Sequence, residues 1–219
     1  MSQVGSMQGN DCSPLDTAKG RSLVIAGLIL AAGESSRMGR DKALLPYHGR
    51  TFLENVLETL RNAGVARSVV VLGHHADEIR RAVDLNLAQV VVNAAYRQGQ
   101  TSSLQAGLRA FEKDDCAAVV LCLVDQPCVS PETVRHMVST YERSGCQVVI
   151  PTFQGQRGHP VLVSRELFEE LKNLALGEGA NTVIRRHREA AKFVEVNDRG
   201  VLLDIDDSEA YRRLEAGEM

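Results

Sequence analysis

No apolar run in this 219-residue chain approaches the roughly 18 residues that mark a membrane-spanning helix, which excludes an integral membrane protein of helical type. The first 22 residues lack a basic start, an apolar stretch and a small-residue cleavage site, so they do not form a secretory signal; they read as a disordered leader or a misassigned start. Positive charge is not in excess. A net charge of −3 gives no overall attraction to nucleic acid or anionic lipid, and neither is expected as a partner. Paired cysteines are also missing: Cys12, Cys116, Cys122, Cys128 and Cys146 are odd in number and none stands in a C-x-x-C pair, which excludes a disulfide framework or zinc knuckle and fits a reduced, cytoplasmic protein. Cys122, inside an apolar run, is expected to be core packing. There is no internal repeat or low-complexity tract after residue 22, and the length suits one domain over 23–219.

Short runs rich in Val and Ile occupy 23–30, 69–72, 89–92, 117–124 and 147–150. Segments with helical spacing lie between most of them, and that alternation predicts an α/β fold with a mostly parallel central sheet. Helix starts are expected at two capping-box pairs, Thr51 with Glu54 and Ser102 with Gln105, and at Ser130 before Pro131. Two weaker strands are expected near 193–196 and 201–205, ahead of a last helix at 208–215. In an open α/β sheet the ligand sits beyond the carboxyl ends of the strands, so the residues after each run are the candidates for function.

After the first run comes Leu30-Ala31-Ala32-Gly33-Glu34-Ser35-Ser36-Arg37-Met38-Gly39-Arg40-Asp41-Lys42. Small residues at 31–33 let main-chain N–H groups approach a phosphate, and Arg37 and Lys42 add positive charge at the same edge. The segment is neither a G-x-G-x-x-G fingerprint nor a P-loop. The run at 117–124 stops at Asp125-Gln126-Pro127, which places Asp125 at the ligand edge, where a carboxylate can hold Mg²⁺ together with substrate phosphates. Its competing role is to cap the turn before Pro131.

The loop resembles the L-A-A-G-x-S-x-R-M-G-x-x-K signature of the NTP-transferase family that includes the molybdenum cofactor guanylyl- and cytidylyltransferases, whose fold is a three-layer, Rossmann-like nucleotidyltransferase fold. By that resemblance Leu30, Ala31, Ala32 and Gly33 hold the base and ribose, Arg37 grips the triphosphate and Lys42 neutralises charge near the α-phosphate. Asp125 matches the metal position of the family's L-x-D-Q-P motif. Asp206, in Asp204-Ile205-Asp206-Asp207, resembles the second metal position of a D-I-D-T-P stretch, although Asp207-Ser208 replaces Thr-Pro and leaves the register open. Asn93, Gly99 and Ser103 fall in a stretch similar to N-x-x-x-x-x-G-x-x-x-S-L-x-x-G, which faces the nucleotide; Ser102 competes as a helix N-cap. Gly158-His159-Pro160-Val161 resembles the G-H-P-V motif on the acceptor side, with Gln126 and Pro127 bordering the same side. His74 and His75 match no metal-ligand pattern and are expected to be loop residues.

The resemblance implies transfer of CMP from CTP to the terminal phosphate of molybdopterin, with pyrophosphate released, Mg²⁺ as cofactor and a molybdenum hydroxylase as recipient of the product. Guanylyl-transferring relatives carry Gly-Gly where this chain has Ala32-Gly33, and the added methyl group favours a pyrimidine. The competing readings are guanylyl transfer to molybdenum cofactor, cytidylyl transfer to a sugar or polyol phosphate, and a non-catalytic cofactor binder. The full charge set of Arg37, Lys42 and Asp125 argues against the last.

Overall fold

The computed structural model describes residues 23–35, 38–113 and 115–218; the expected leader, residues 1–22, lies outside them. The first apolar run forms β1 (Val24–Ala31). Its side chains alternate between two apolar clusters: Ala26, Leu28 and Leu30 on one face, Ile25, Ile29 and Ala31 on the other. A strand buried on both faces in this way belongs in the middle of a covered parallel sheet. The strands that follow are β2 (Pro46–Tyr47), β3 (Arg50–Thr51), β4 (Ser68–Leu72), β5 (Ala88–Val92), β6 (Cys116–Leu123), β7 (Val148–Phe153), β8 (Gln156–Arg157), β9 (Val161–Ser164) and β10 (Ala191–Glu195). Apart from the β2–β3 ribbon they make one sheet in the order β10-β7-β9-β6-β1-β4-β5, with β8 paired to β7.

β5, β4, β1 and β6 run parallel, as do β7 and β10. β9 is antiparallel to both β6 and β7, so β7 and β10 point the same way as β1. All six parallel strands therefore end at one edge of the sheet. Helices cover both faces. α1 (Phe52–Asn62), α2 (Ala76–Ala82), α4 (Pro131–Ser144) and α7 (Ser208–Glu215) contribute Phe52, Ile79, Met137 and Leu214 to the cluster containing Ile29. α3 (Gln100–Arg109), α5 (Phe168–Lys172) and α6 (Asn181–Arg186) contribute Leu104, Leu171 and Val183 to the cluster containing Leu28. This is the three-layer, mostly parallel α/β architecture expected. Cys122 lies in the core, where burial pushes its thiol up to about 12.

Two helix starts are as expected. Thr51 and Glu54 exchange the reciprocal bonds of a capping box, and Ser130 caps α4 ahead of Pro131. The third is not. Ser102 and Gln105 form no capping box: α3 begins at Gln100 after Gly99, whose φ of +96° is open to glycine at no steric cost. The Ser102 hydroxyl donates instead to the carbonyls of Ala95 and Gly99, and the Gln105 amide donates to the Leu174 carbonyl. The strand expected at 201–205 is also absent. Arg199–Leu202 is a short 3₁₀ helix, because the Asp198 carboxylate accepts from Gly200 N and turns the chain. The expected strand near 193–196 is β10, displaced by a residue or two, and the last helix has the expected bounds. Sequence patterning overlooked β9, a four-residue strand buried along its whole length.

Candidate active site

At the ends of β1 and β6 a cleft of about 420 Å³ opens on the face carrying Leu28 and α3. Leu30, Ala32, Gly33 and Ser35 form one wall, Tyr96, Gly99, Gln100 and Ser103 another, and Leu123, Val124 and Asp125 the floor beside Lys42 and Asp206. Of the residues expected to contact nucleotide, Leu30, Ala32, Gly33, Gly99 and Ser103 line this cleft. Ala31 does not: the period-two alternation of β1 turns it into the opposite core. Asn93 is buried behind the wall. Its amide donates to the hydroxyls of Ser102 (2.9 Å) and Ser103 (3.0 Å), and its carbonyl oxygen accepts from Ala95 N (3.0 Å). It shapes that wall through Ser103 rather than lining the cleft. Arg37 lies outside the described residues.

Lys42 reaches the centre of the cleft because Asp41 starts a one-turn 3₁₀ helix, accepting from Ala43 N at 2.9 Å. The Lys42 main-chain N–H donates to Ser35 Oγ (3.0 Å), tying the turn to the loop after β1. Its ammonium then donates to Asp125 Oδ2 (3.1 Å) and Asp206 Oδ1 (2.7 Å). Burial works to lower the Lys42 pKa, but the bonds and charges of the two carboxylates outweigh it and hold the group above its ordinary value. Asp125 moves up: burial disfavours its charge, and the neighbouring Lys42 only partly offsets that. Two residues far apart in sequence, Asp125 and Asp206, thus meet across one ammonium. The expected alternation of Asp204 and Asp206 on a strand is not how they are placed. Ile205 N donates to the Asp125 carbonyl (2.9 Å), so the segment crosses the end of β6 with Asp206 on Lys42 and Asp204 on the Gln126 amide.

Could this pair hold a divalent metal? Asp125 Oδ1 is buried and has no hydrogen-bond partner among the described residues, a costly state for a carboxylate oxygen unless a ligand takes it. Asp206 is partly open to the cleft, its side chain 57% exposed. Two carboxylate donors beside a phosphate-sized space match the habit of Mg²⁺, which takes one or two carboxylates and completes its shell with substrate phosphate and water. Among the described residues no group of three or more His, Cys, Asp or Glu side chains is arranged to hold a metal, so the remaining ligands would come from the substrate.

Of the residues expected to border the acceptor, the Gly158–His159 segment crosses the same edge, with His159 N donating to the Val201 carbonyl (2.9 Å). Burial lowers the His159 pKa, against the pull of Asp204 and Asp125, so the ring is neutral at neutral pH; its Nδ1 is buried without a partner among the described residues. Gln126 is buried and spends its amide on Asp204. None of Gln126, Pro127, Gly158 and His159 lines the cleft beside Lys42.

Several site residues were not legible from pattern. Tyr96 lines the cleft, with its hydroxyl 2.8 Å from His74 Nδ1. His75, expected to be an ordinary loop residue, places Nδ1 3.1 Å from Asp41 Oδ2 and so braces the turn that carries Lys42. Asp41 itself, buried in spite of its charge, was a signal available in the sequence as a helix-capping residue directly before the lysine.

A model of the MobA-like NTP transferase domain matches residues 27–191 of the chain. The chain belongs to the MobA-like NTP transferase family. It is a nucleotidyltransferase of that family, similar at 31% identity to the nicotine blue oxidoreductase of Paenarthrobacter nicotinovorans (87% of this chain, 96% of the relative). It is similar at 27% to the molybdenum cofactor cytidylyltransferase of Escherichia coli (82% and 89%) and at 30% to a probable molybdenum cofactor guanylyltransferase of Mycobacterium avium (71% and 77%). Among solved structures, Rv0371c of Mycobacterium tuberculosis in complex with manganese is 32% identical, with a TM-score of 0.73 over 87% of this chain and 97% of that one. A related protein thus takes up a divalent metal. Among the described residues no helix is long and apolar enough to cross a membrane.

Proposed function

We propose that this protein transfers CMP from CTP to the terminal phosphate of molybdopterin, releasing pyrophosphate, in the cytoplasm and for delivery to a molybdenum hydroxylase. The observation that carries the reading is Lys42 held between Asp125 and Asp206 in the lining of a nucleotide-sized cleft. The acceptor phosphate must approach the α-phosphorus of a triphosphate in line, and repulsion between the two anions is the main obstacle. Lys42 supplies fixed positive charge where negative charge accumulates, which is worth far more in a water-poor cleft than in bulk solvent, and Arg37 is assigned to the triphosphate by its place in the sequence motif. Asp125 and Asp206 would hold Mg²⁺, which when bound screens the phosphate charge and orients the triphosphate. Leu30, Ala32, Gly33, Gly99 and Ser103 receive base and ribose, with Asn93 positioning Ser103. Gln126, Pro127, Gly158 and His159 border the acceptor, and the neutral His159 ring offers a hydrogen bond without adding charge.

Ala32 supports CTP over GTP: its methyl group is buried at the wall of the cleft, and a smaller base fits above it. One methyl is worth roughly 1–3 kcal/mol of discrimination, so guanylyl transfer to the same acceptor is the second reading. Purified protein with molybdopterin, Mg²⁺ and each nucleoside triphosphate in turn should release pyrophosphate fastest with CTP. Preference for GTP moves the function to guanylyl transfer, and turnover with a sugar phosphate but not with molybdopterin reassigns the acceptor. If no triphosphate is consumed, the transfer reading is wrong.

A further inference from the structure

The two histidines that match no ligand pattern follow β4, in the turn Gly73-His74-His75. This turn is threaded between the two walls of the cleft. A Cβ on Gly73 would come within 2.3 Å of the Ala32 carbonyl oxygen and 2.9 Å of Tyr96 Cβ, so the backbone here has no slack. The two histidine rings touch, 4.1 Å between centroids, yet they reach different partners. His74 places Nδ1 2.8 Å from the Tyr96 hydroxyl, and His75 places Nδ1 3.1 Å from Asp41 Oδ2. An ionised carboxylate only accepts, so Nδ1 of His75 carries the proton and donates.

Asp41 depends on that bond. Its side chain is 4% exposed, and a carboxylate so deeply buried is costly unless its oxygens are taken. Ala43 N takes Oδ1 at 2.9 Å and His75 takes Oδ2; among the described residues no Lys or Arg pairs with it. The bond to Ala43 N is also what opens the one-turn helix Lys42–Leu44. The carboxylate that starts the turn carrying Lys42 is therefore held from behind by His75. Helix capping does not account for this contact: His75 directly precedes α2, but its side chain makes no capping bond there.

We infer that His75 is a positioning residue for the transfer step, fixing through Asp41 the backbone from which Lys42 reaches the cleft. The Lys42 ammonium is a point charge on a flexible four-carbon stem, so its place is only as definite as the turn beneath it. A displacement of about 1 Å is enough to cost on the order of 10²-fold in rate. The brace is stiff because its own turn is anchored on the far side, by His74 on Tyr96 and by the close packing of Gly73. This role rests on the nucleotidyl transfer proposed above, but one arm of its test needs no turnover.

A double-mutant cycle with Lys42→Ala tests it, with kcat for pyrophosphate release from CTP as the first readout. His75→Ala should lower kcat by roughly 10- to 10²-fold while KM for CTP moves by less than about twofold. In the Lys42→Ala chain the same change should lower kcat by less than about twofold, because the group it positions is gone. His75→Asn keeps an N–H where Nδ1 stands and should recover kcat to within about threefold of the unaltered chain. Thermal melting is the second readout. An ion pair on a loosened turn loses more freedom on forming, so the two alanine substitutions together should lower Tm by about 2–4 °C less than the sum of their separate effects. An undiminished kcat in His75→Ala, a loss of equal size with and without Lys42, or no recovery in His75→Asn overturns the positioning role. If the unaltered chain consumes no triphosphate, the transfer reading fails, and the melting cycle still decides: additive shifts in Tm overturn the brace.

Discussion

Replacing Lys42 with alanine removes an ammonium that two carboxylates share, and the structure sets the size of the effect. The pair with Asp125 is largely buried, its side chains 13% and 23% exposed. Breaking a fully buried pair by deleting one partner costs about 3–5 kcal/mol, because the other charge is stranded; with part of Asp125 still wet, about 2–3 kcal/mol is the reasonable figure. The pair with Asp206, whose side chain is 57% exposed, adds at most about 0.5 kcal/mol. The sum, about 3 kcal/mol, should lower Tm by about 6–12 °C in a chain of this size. Differential scanning fluorimetry against pH checks the cause as well as the size. Lys42 is raised above its ordinary value, so its contribution is complete below pH 10.5 and fades as pH climbs through the higher folded value. Asp125 is raised above 3.8, and without Lys42 nothing restrains burial from raising it further. Its stranded charge then destabilises the variant at neutral pH, and protonation relieves this as pH falls through the raised value. The gap in Tm should therefore narrow at both ends of the pH range. A gap below about 1 kcal/mol at pH 7, or one that does not change with pH, would refute a buried ion pair as its origin. In kinetics the same variant should lose kcat by about 10²-fold or more with a small change in KM for CTP, the pattern of charge stabilised mainly in the transition state; a change confined to KM would make Lys42 a uniform binder.

Asp125→Asn should also depress kcat by about 10²-fold or more, yet melt no lower than the unaltered chain at pH 7, since it removes a carboxylate whose charge burial disfavours; near-normal turnover removes Asp125 from the metal site. Ala32→Gly should raise GTP use relative to CTP in a competition assay while CTP remains accepted, and an unchanged ratio assigns base choice elsewhere. Gly73→Ala places a methyl group against the Ala32 carbonyl and 2.9 Å from the Ala32 side chain, so it should cost about 1–3 kcal/mol by overpacking and raise KM for the nucleotide; urea melts and steady-state kinetics read both effects.

Sequence alone determined the layers and most of the wall. Apolar runs separated by helical spacing are a local consequence of burying strands on both faces, so β1, β4, β5, β6, β7 and β10 could be read in order, and small residues after the first run marked where a phosphate can approach backbone. Capping at Thr51 and Ser130 was equally local. Tertiary structure decided what local pattern does not encode. Ser102 had the spacing of a cap, but Asn93 and the Ala95 carbonyl claim its hydroxyl, and Gly99 starts the helix instead. Residues 201–205 had apolar alternation but no strand to pair with; Asp198 turns Arg199–Leu202 into a 3₁₀ helix, and the chain beyond it crosses the end of β6 without forming a strand. The meeting of Asp125 with Asp206, the bracing of Asp41 by His75 and the stacking of Arg157 on Phe193 each join segments 34 or more residues apart. Such contacts arise only when the sheet order brings strand ends to a common edge, and no window of sequence contains both partners.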